Sequence, residues 1–146
     1  MRMKGILILA HGSKQKETED TLYAVISALR RELSETDGKA GGEIGGKTGS
    51  EIVEKADGTI EIEAAFLQFS DRDLNAGLKA LVDKGVDDVI VVPYFLFDGT
   101  HIKEDIPGEI EAFTKLYPNI RVRLGKTLGA DKRLALILKD RIAEMI

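Results

Sequence analysis

The stretch Val89-Ile-Val-Val-Pro-Tyr-Phe-Leu-Phe-Asp-Gly-Thr-His-Ile-Lys-Glu-Asp-Ile-Pro107 decides how the rest of the chain reads. It opens as an apolar, β-branched run, the composition of a strand buried on both faces. Asp98-Gly99 then marks a turn, and the turn delivers His101. Glu104 and Asp105 follow, with Pro107 in what reads as the first turn of a helix. The second histidine of the chain stands in the same context. Gly5-Ile-Leu-Ile-Leu-Ala10 is an apolar run that ends in His11-Gly12-Ser13. Both histidines therefore fall just beyond the carboxyl ends of predicted parallel strands, where open α/β sheets bind their ligands.

Outward from these two segments, the chain alternates short apolar runs with amphipathic ones. Strands are expected at Gly5–Ala10, Thr59–Phe66, Asp88–Leu96 and Ile120–Leu124. The first helix has Ser13 or Thr18 as candidate caps and the stripe Leu22, Val25, Ile26, Leu29 and Leu33. A second is expected from Ser70, with Leu74, Leu78, Leu81 and Val82 facing inward, ending at Gly85. A third runs from Asp105 to Leu116, with Ile106, Ile110, Phe113 and Leu116 inward. A fourth begins near Asp131, carrying Leu134, Ile137, Leu138, Ile142 and Met145 on one face. The βαβαβαβα order predicts an α/β fold of flavodoxin-like, three-layer type, with a four-stranded parallel sheet in the order 2-1-3-4. In that order the first and third strands are neighbours, so His11 and His101 share one edge of the sheet.

Residues 37–58 break the pattern. They hold seven of the chain's fifteen glycines and few apolar residues. They read as a glycine-rich mobile loop inserted in a single domain of residues 1–146, with a short helical turn near Glu51–Lys55. The glycines do not form a phosphate-binding loop, because no G-x-x-x-x-G-K-[ST] is present.

Composition narrows the chemistry. The 146 residues are 43% hydrophobic and 32% charged, with a formal net charge of −4. No basic cluster stands out, and aromatic residues are only 5% with no tryptophan, so nucleic acid is not an expected partner. The absence of cysteine removes disulfides, thiolate nucleophiles and thiolate metal sites. No apolar run approaches a membrane span, and the N-terminus lacks the pattern of a signal peptide, so a cytoplasmic protein is expected. There is no G-x-S-x-G elbow and no dinucleotide fingerprint. His11-Gly12 is similar to the start of histidine phosphatases, but Ala10 stands where their phosphate-binding arginine would be.

Two imidazoles at one crevice can bind a divalent transition metal or accept protons near neutral pH. The plain alternative is that each histidine only caps a helix or fills a turn. Nearby carboxylates are Asp71, Asp98, Glu104 and Asp105, each of which is by default a solvated loop or helix-start residue. Glu63 is different, because a carboxylate inside an apolar strand needs a partner or a solvent-facing position.

Taken together, Ile8-Leu-Ala-His-Gly-Ser13, Ile62-Glu-Ala-Ala-Phe-Leu-Gln-Phe-Ser70 and Val91–Pro107 resemble the signatures of the class II tetrapyrrole chelatases, in the short form of the sirohydrochlorin cobaltochelatases. The resemblance spans nearly the whole chain except residues 37–58. It implies insertion of a divalent metal into sirohydrochlorin, cobalt first, with nickel or iron as alternatives. It implies His11 and His101 as metal-binding residues, His11 also accepting a proton. Leu96, Phe97, Asp98, Gly99 and Thr100 would line the macrocycle. Asp71 stands where the family has an acidic substrate contact, usually Glu, and Gln68 where it often has Glu. No permanently bound cofactor is implied, the metal being a substrate. Longer relatives carry two such domains, so a homodimer is expected for this one. A carrier that binds metal or tetrapyrrole without turnover is the rival of a different class.

Overall fold

The computed structural model describes residues 3–35, 51–55 and 58–146, with backbone alone at residues 35, 51–55, 58–59 and 101–102. In chain order the elements are β1 (Lys4–Ala10), α1 (Glu17–Glu35), β2 (Glu51–Lys55), β3 (Gly58–Phe66), α2 (Leu74–Asp83), β4 (Asp88–Pro93), α3 (Ile106–Leu116), β5 (Arg121–Leu124) and α4 (Lys132–Ala143). A π-helical turn, His101–Asp105, leads into α3.

The sheet runs β2-β3-β1-β4-β5. Its four parallel strands stand in the expected order, 2-1-3-4. β1 lies at the centre, with Ile6 opposite Ile62 of β3 on one side and Ile90 of β4 on the other. Alternation of side chains across the pleat gives the strands two apolar faces. One face packs Ile8, Ile62, Ala64 and Phe66 against Leu22 and Ile26 of α1. The other packs Leu7, Leu9, Val89 and Val91 against Leu74, Leu78 and Leu81 of α2 and Ile106, Ile110 and Phe113 of α3. Helix α2 approaches so closely that a Cβ at Gly77 would lie 2.7 Å from Leu7 Cδ1.

The structure corrects the reading of residues 51–55. They are not a helical turn in a loop but a fifth strand, antiparallel to β3, with Glu51 opposite Ile62 and Lys55 opposite Gly58. The β-branched pair Ile52-Val53 disfavours helix, and β3 offers a free edge of backbone donors and acceptors to pair with. The rest of the expected glycine-rich loop, residues 37–50 and 56–57, lies outside the described residues.

Other boundaries shift for local reasons. Helix α2 begins at Leu74 rather than Ser70, because Asp73 is its cap and accepts from Ala76 N–H at 2.8 Å. β4 ends at Pro93 rather than Leu96, since proline brings no N–H to the ladder. Leu116, expected inward, is exposed beside a groove of about 230 Å³ between α2 and α3. The apolar stripe of α4 is also uncovered: α4 buries none of its residues.

Glu63 finds its partners. Its side chain is 1% exposed; Arg72 Nη2 donates to Oε1, and Lys84 Nζ to Oε2 at 2.6 Å. Arg72 also touches the phenol of Tyr23, whose pKa is raised chiefly by burial. Both cations of the Glu63 pair are partly exposed, so they regain water if the carboxylate is lost. Glu63→Gln is therefore expected to cost about 2 kcal/mol, less than the full penalty of stranding a buried charge. A urea-unfolding midpoint for the variant beside wild type measures it; an unchanged midpoint contradicts the assignment.

Candidate functional site

The carboxyl ends of β3, β1 and β4 form one edge, and backbone hydrogen bonds carry their alignment past the strands themselves. Leu67 N–H donates to the Ala10 carbonyl at 2.9 Å, and Gln68 N–H to the His11 carbonyl at 3.1 Å. On the other side, Tyr94 N–H donates to the Leu9 carbonyl at 2.7 Å. His11 thus emerges between the exits of its two neighbours. Its ring lies against buried Phe95, with centroids 4.3 Å apart and planes 37° from parallel. That contact fixes the plane of the imidazole while the residue stays exposed.

Gly12 next to it has φ +82°, and a Cβ there would meet the Gln68 carbonyl oxygen at 2.2 Å. The glycine is required by the neighbouring strand exit. The close approach that Gly12 permits is thus to the protein's own backbone. After it, Ser13 Oγ accepts from Gln15 N–H at 2.9 Å and bonds Thr18 Oγ1 at 2.7 Å, turning the chain into α1.

Beside His11 opens a cleft of about 390 Å³, lined by His11, Gly12, Thr18, Thr21 and Leu22 on one side and Tyr94 on the other. A shallower depression holds Asp71, with Phe69, Ser70 and Arg72. Phe69 is a residue that the sequence reading passed over. It is 55% exposed, with Lys14 Nζ 5.6 Å from its ring centroid. Its φ of +58° is strained for a bulky side chain, the kind of conformation that gathers at functional sites. The sequence signal was an aromatic residue set in an otherwise polar turn. Tyr94, which lines the cleft, was quoted within its segment but given no role.

Leu96, Phe97, Asp98, Gly99 and Thr100 form an exposed loop on the same edge, Phe97 being 80% exposed. Asp98 Oδ1 accepts from Thr127 Oγ1 at 2.8 Å, so this carboxylate ties the loop to the segment after β5. His101 follows at the start of the π-helical turn, where the structure describes its backbone alone. Glu104 and Asp105 are exposed. Among the described residues, no three His, Asp or Glu side chains converge as a metal cage.

The family model for CbiX matches residues 46–145. The chain belongs to the CbiX family. A sirohydrochlorin cobaltochelatase of Sulfurisphaera tokodaii is 28% identical over 144 residues, 99% of this chain and 95% of the relative. A sirohydrochlorin ferrochelatase of Priestia megaterium is 29% identical over 97% of the chain. This chain spans 44% of that relative's length, as a short CbiX chain would span half of a longer one. Among solved structures, the sirohydrochlorin chelatase SirB of Bacillus subtilis subspecies spizizenii, in complex with cobalt, matches with a TM-score of 0.66 and 26% identity. It is covered over 50% of its length and this chain over 97%. A CbiX protein from Marinobacter aquaeolei VT8 shares the fold, with a TM-score of 0.64 at 22% identity and nearly full coverage of both chains.

Gly12→Ala tests how the edge is held. The added methyl must displace the Gln68 carbonyl and hold a positive φ, so a loss of about 2 kcal/mol or more is expected. A thermal melt of the folded variant gives the answer, and a melting temperature within a degree of wild type contradicts it.

Proposed function

We propose that this chain inserts a divalent metal, cobalt first, into sirohydrochlorin, using His11 and His101 on the metal and on the pyrrole protons. The observation that carries this reading is the pairing of β1 with β4, Leu9 opposite Pro93, which sends both histidine segments to one edge of the sheet. The reaction exchanges two pyrrole N–H protons for one metal dication, so the site must strip water from the metal and accept protons. A neutral imidazole does either. Holding the metal against the ring face supplies proximity, and no nucleotide or redox partner is required.

The exposed apolar residues of the edge suit a flat, broad macrocycle. Phe69, Tyr94, Leu96 and Phe97 are all exposed there, where a large apolar patch signals a binding surface. In this reading Leu96–Thr100 lie along the ring, and Asp71 meets it from the opposite side of His11. The names of the relatives support the substrate more firmly than the metal. Cobaltochelatases and ferrochelatases match at nearly the same identity, so iron is the specific alternative, and nickel is chemically compatible with the same imidazoles. The metal is treated as substrate and no resident cofactor is assigned.

The remaining elements of the proposal are a single catalytic domain per chain, a cytoplasmic location and a symmetric homodimer. No helix among the described residues is long and apolar enough to cross a membrane. The cleft beside His11 has α1 as one wall and, among the described residues, no helix on its far side, so a second copy would complete it. A two-fold dimer is also the commonest closed assembly.

The test is a metallation assay with Co²⁺, Ni²⁺ and Fe²⁺ in parallel on wild type, His11→Ala, His101→Ala and the double variant. Each single change is expected to lower the rate on the order of 100-fold or more, and the double to be little worse than the worse single. Circular dichroism should show all four folded. A folded His101→Ala with near-wild-type rate removes the paired-histidine mechanism. A wild type that stops at one equivalent per site identifies a carrier instead.

A further inference from the structure

Phe69 stands where a phenylalanine does nothing for the fold. Its φ is +58°, a backbone region that glycine adopts without strain and a bulky side chain does not. Burial of the ring could offset that strain, yet Phe69 is more than half exposed and packs in neither apolar cluster of the sheet. The turn around it is firmly held. Gln68 N–H donates to the His11 carbonyl at 3.1 Å just before it, and Arg72 N–H to Ser70 Oγ at 3.1 Å just after. Phe66 N–H, donating to the Arg72 carbonyl at 2.7 Å, closes the turn at its base. The aromatic ring is therefore presented at the carboxyl edge by a turn that shares a hydrogen bond with His11.

What meets the ring is a cation. Lys14, exposed and three residues beyond His11, holds its Nζ 5.6 Å from the Phe69 centroid. Other cations along the sheet are already committed to buried carboxylates, Arg72 and Lys84 to Glu63 and Arg123 to Asp88. Among the described residues Lys14 makes no ion pair, although Glu19 and Asp71 share the depression beside Phe69. The difference matters chemically. An aromatic face attracts an ammonium without cancelling its charge, so Lys14 is steadied in place and still open to an anion. The chain as a whole carries a net charge of −4. A ligand with several carboxylates approaches such a protein only where positive charge stands locally.

We propose that Lys14, steadied over Phe69, receives a peripheral carboxylate of the macrocycle while the Phe69 ring supports the apolar edge beside it. The proposal deepens the substrate reading above and rests on it. Sirohydrochlorin is a flat apolar ring fringed with acetate and propionate arms. The carboxyl edge has the complementary pattern: Phe69, Tyr94, Leu96 and Phe97 are exposed apolar residues, and Lys14 stands at their border. The ammonium is a point charge on a long stem, so it can follow an arm of either length. Lys14 and Phe69 thus select tetrapyrroles with acidic arms over those whose arms are esterified. Neither residue is assigned to the metal or to the pyrrole protons, so the pair acts on capture of the substrate and not on insertion. The plain alternative is a solvated lysine beside a phenylalanine that merely plugs its turn.

The probe is metal-free sirohydrochlorin, titrated spectroscopically for Kd and then metallated with Co²⁺ for KM and kcat. Lys14→Gln is expected to raise Kd and KM on the order of 10-fold, the loss of one charge-assisted contact, and to leave kcat within about twofold. Lys14→Arg should keep most of the affinity. High salt should narrow the gap between wild type and Lys14→Gln, because it screens the charge pair. Phe69→Gly separates the two readings of the ring. Glycine relieves the positive φ, so the variant should melt no lower than wild type and yet bind several-fold more weakly, on the order of 5-fold. A Phe69→Gly protein that melts well below wild type, or binds as well, overturns the proposal. So does Lys14→Gln with an unchanged Kd, with a loss confined to kcat, or with a loss that salt does not reduce, and so does Lys14→Arg as weak as Lys14→Gln. Wild type with no affinity for sirohydrochlorin overturns the substrate reading and this proposal together; wild type that binds and turns over beside unaffected variants overturns this proposal alone.

Discussion

Everything in this chain depends on β1 being paired on both edges. A central parallel strand has no backbone group left for solvent on either side, and its side chains are claimed alternately by the two helix layers. Leu7 and Leu9 go to α2 and α3, Ile8 and Ala10 to α1. Slippage by one residue would turn each set toward the wrong layer, so the register is fixed by burial as well as by hydrogen bonds. The site inherits this precision. His11 begins where β1 ends, and its carbonyl is still in the ladder with Gln68.

The parts legible in the sequence are those that depend on pattern alone. Four strands, four helices and the neighbouring exits that bear His11 and His101 follow from periodicity and crossover handedness. Patterns fail where the answer belongs to another part of the chain. Ile52-Val53 looks too short among glycines to be a strand until β3 supplies an edge. The stripes of α3 and α4 were read correctly as apolar, but periodicity says which side is apolar and not whether anything covers it. Leu116 and Ile137 are the cases in point. Phe69 was missed because a positive φ in a phenylalanine is imposed by the surrounding turn and leaves no mark in composition.

Glu63 shows the same division. Its need for a partner was evident from its place in an apolar strand, yet the partners, Arg72 and Lys84, come from the two ends of α2 and its approach. Since Arg72 O also accepts from Phe66 N–H at 2.7 Å, the ion pair and the turn that carries Phe69 and Asp71 are one unit. A buried polar cluster therefore shapes a surface loop a few residues away, which is a more specific task than adding stability.

The connector before α4 has a further consequence. Phe95, Leu96 and Asp98 hold it through the backbone of Leu128 and Gly129 and the hydroxyl of Thr127. The exposed loop that passes Phe97 and Thr100 is consequently ordered by the same three bonds that direct the last helix. Freedom lost by one segment is lost by the other. A contact that immobilises α4 stiffens the loop, and a flat ligand resting on the loop stiffens α4.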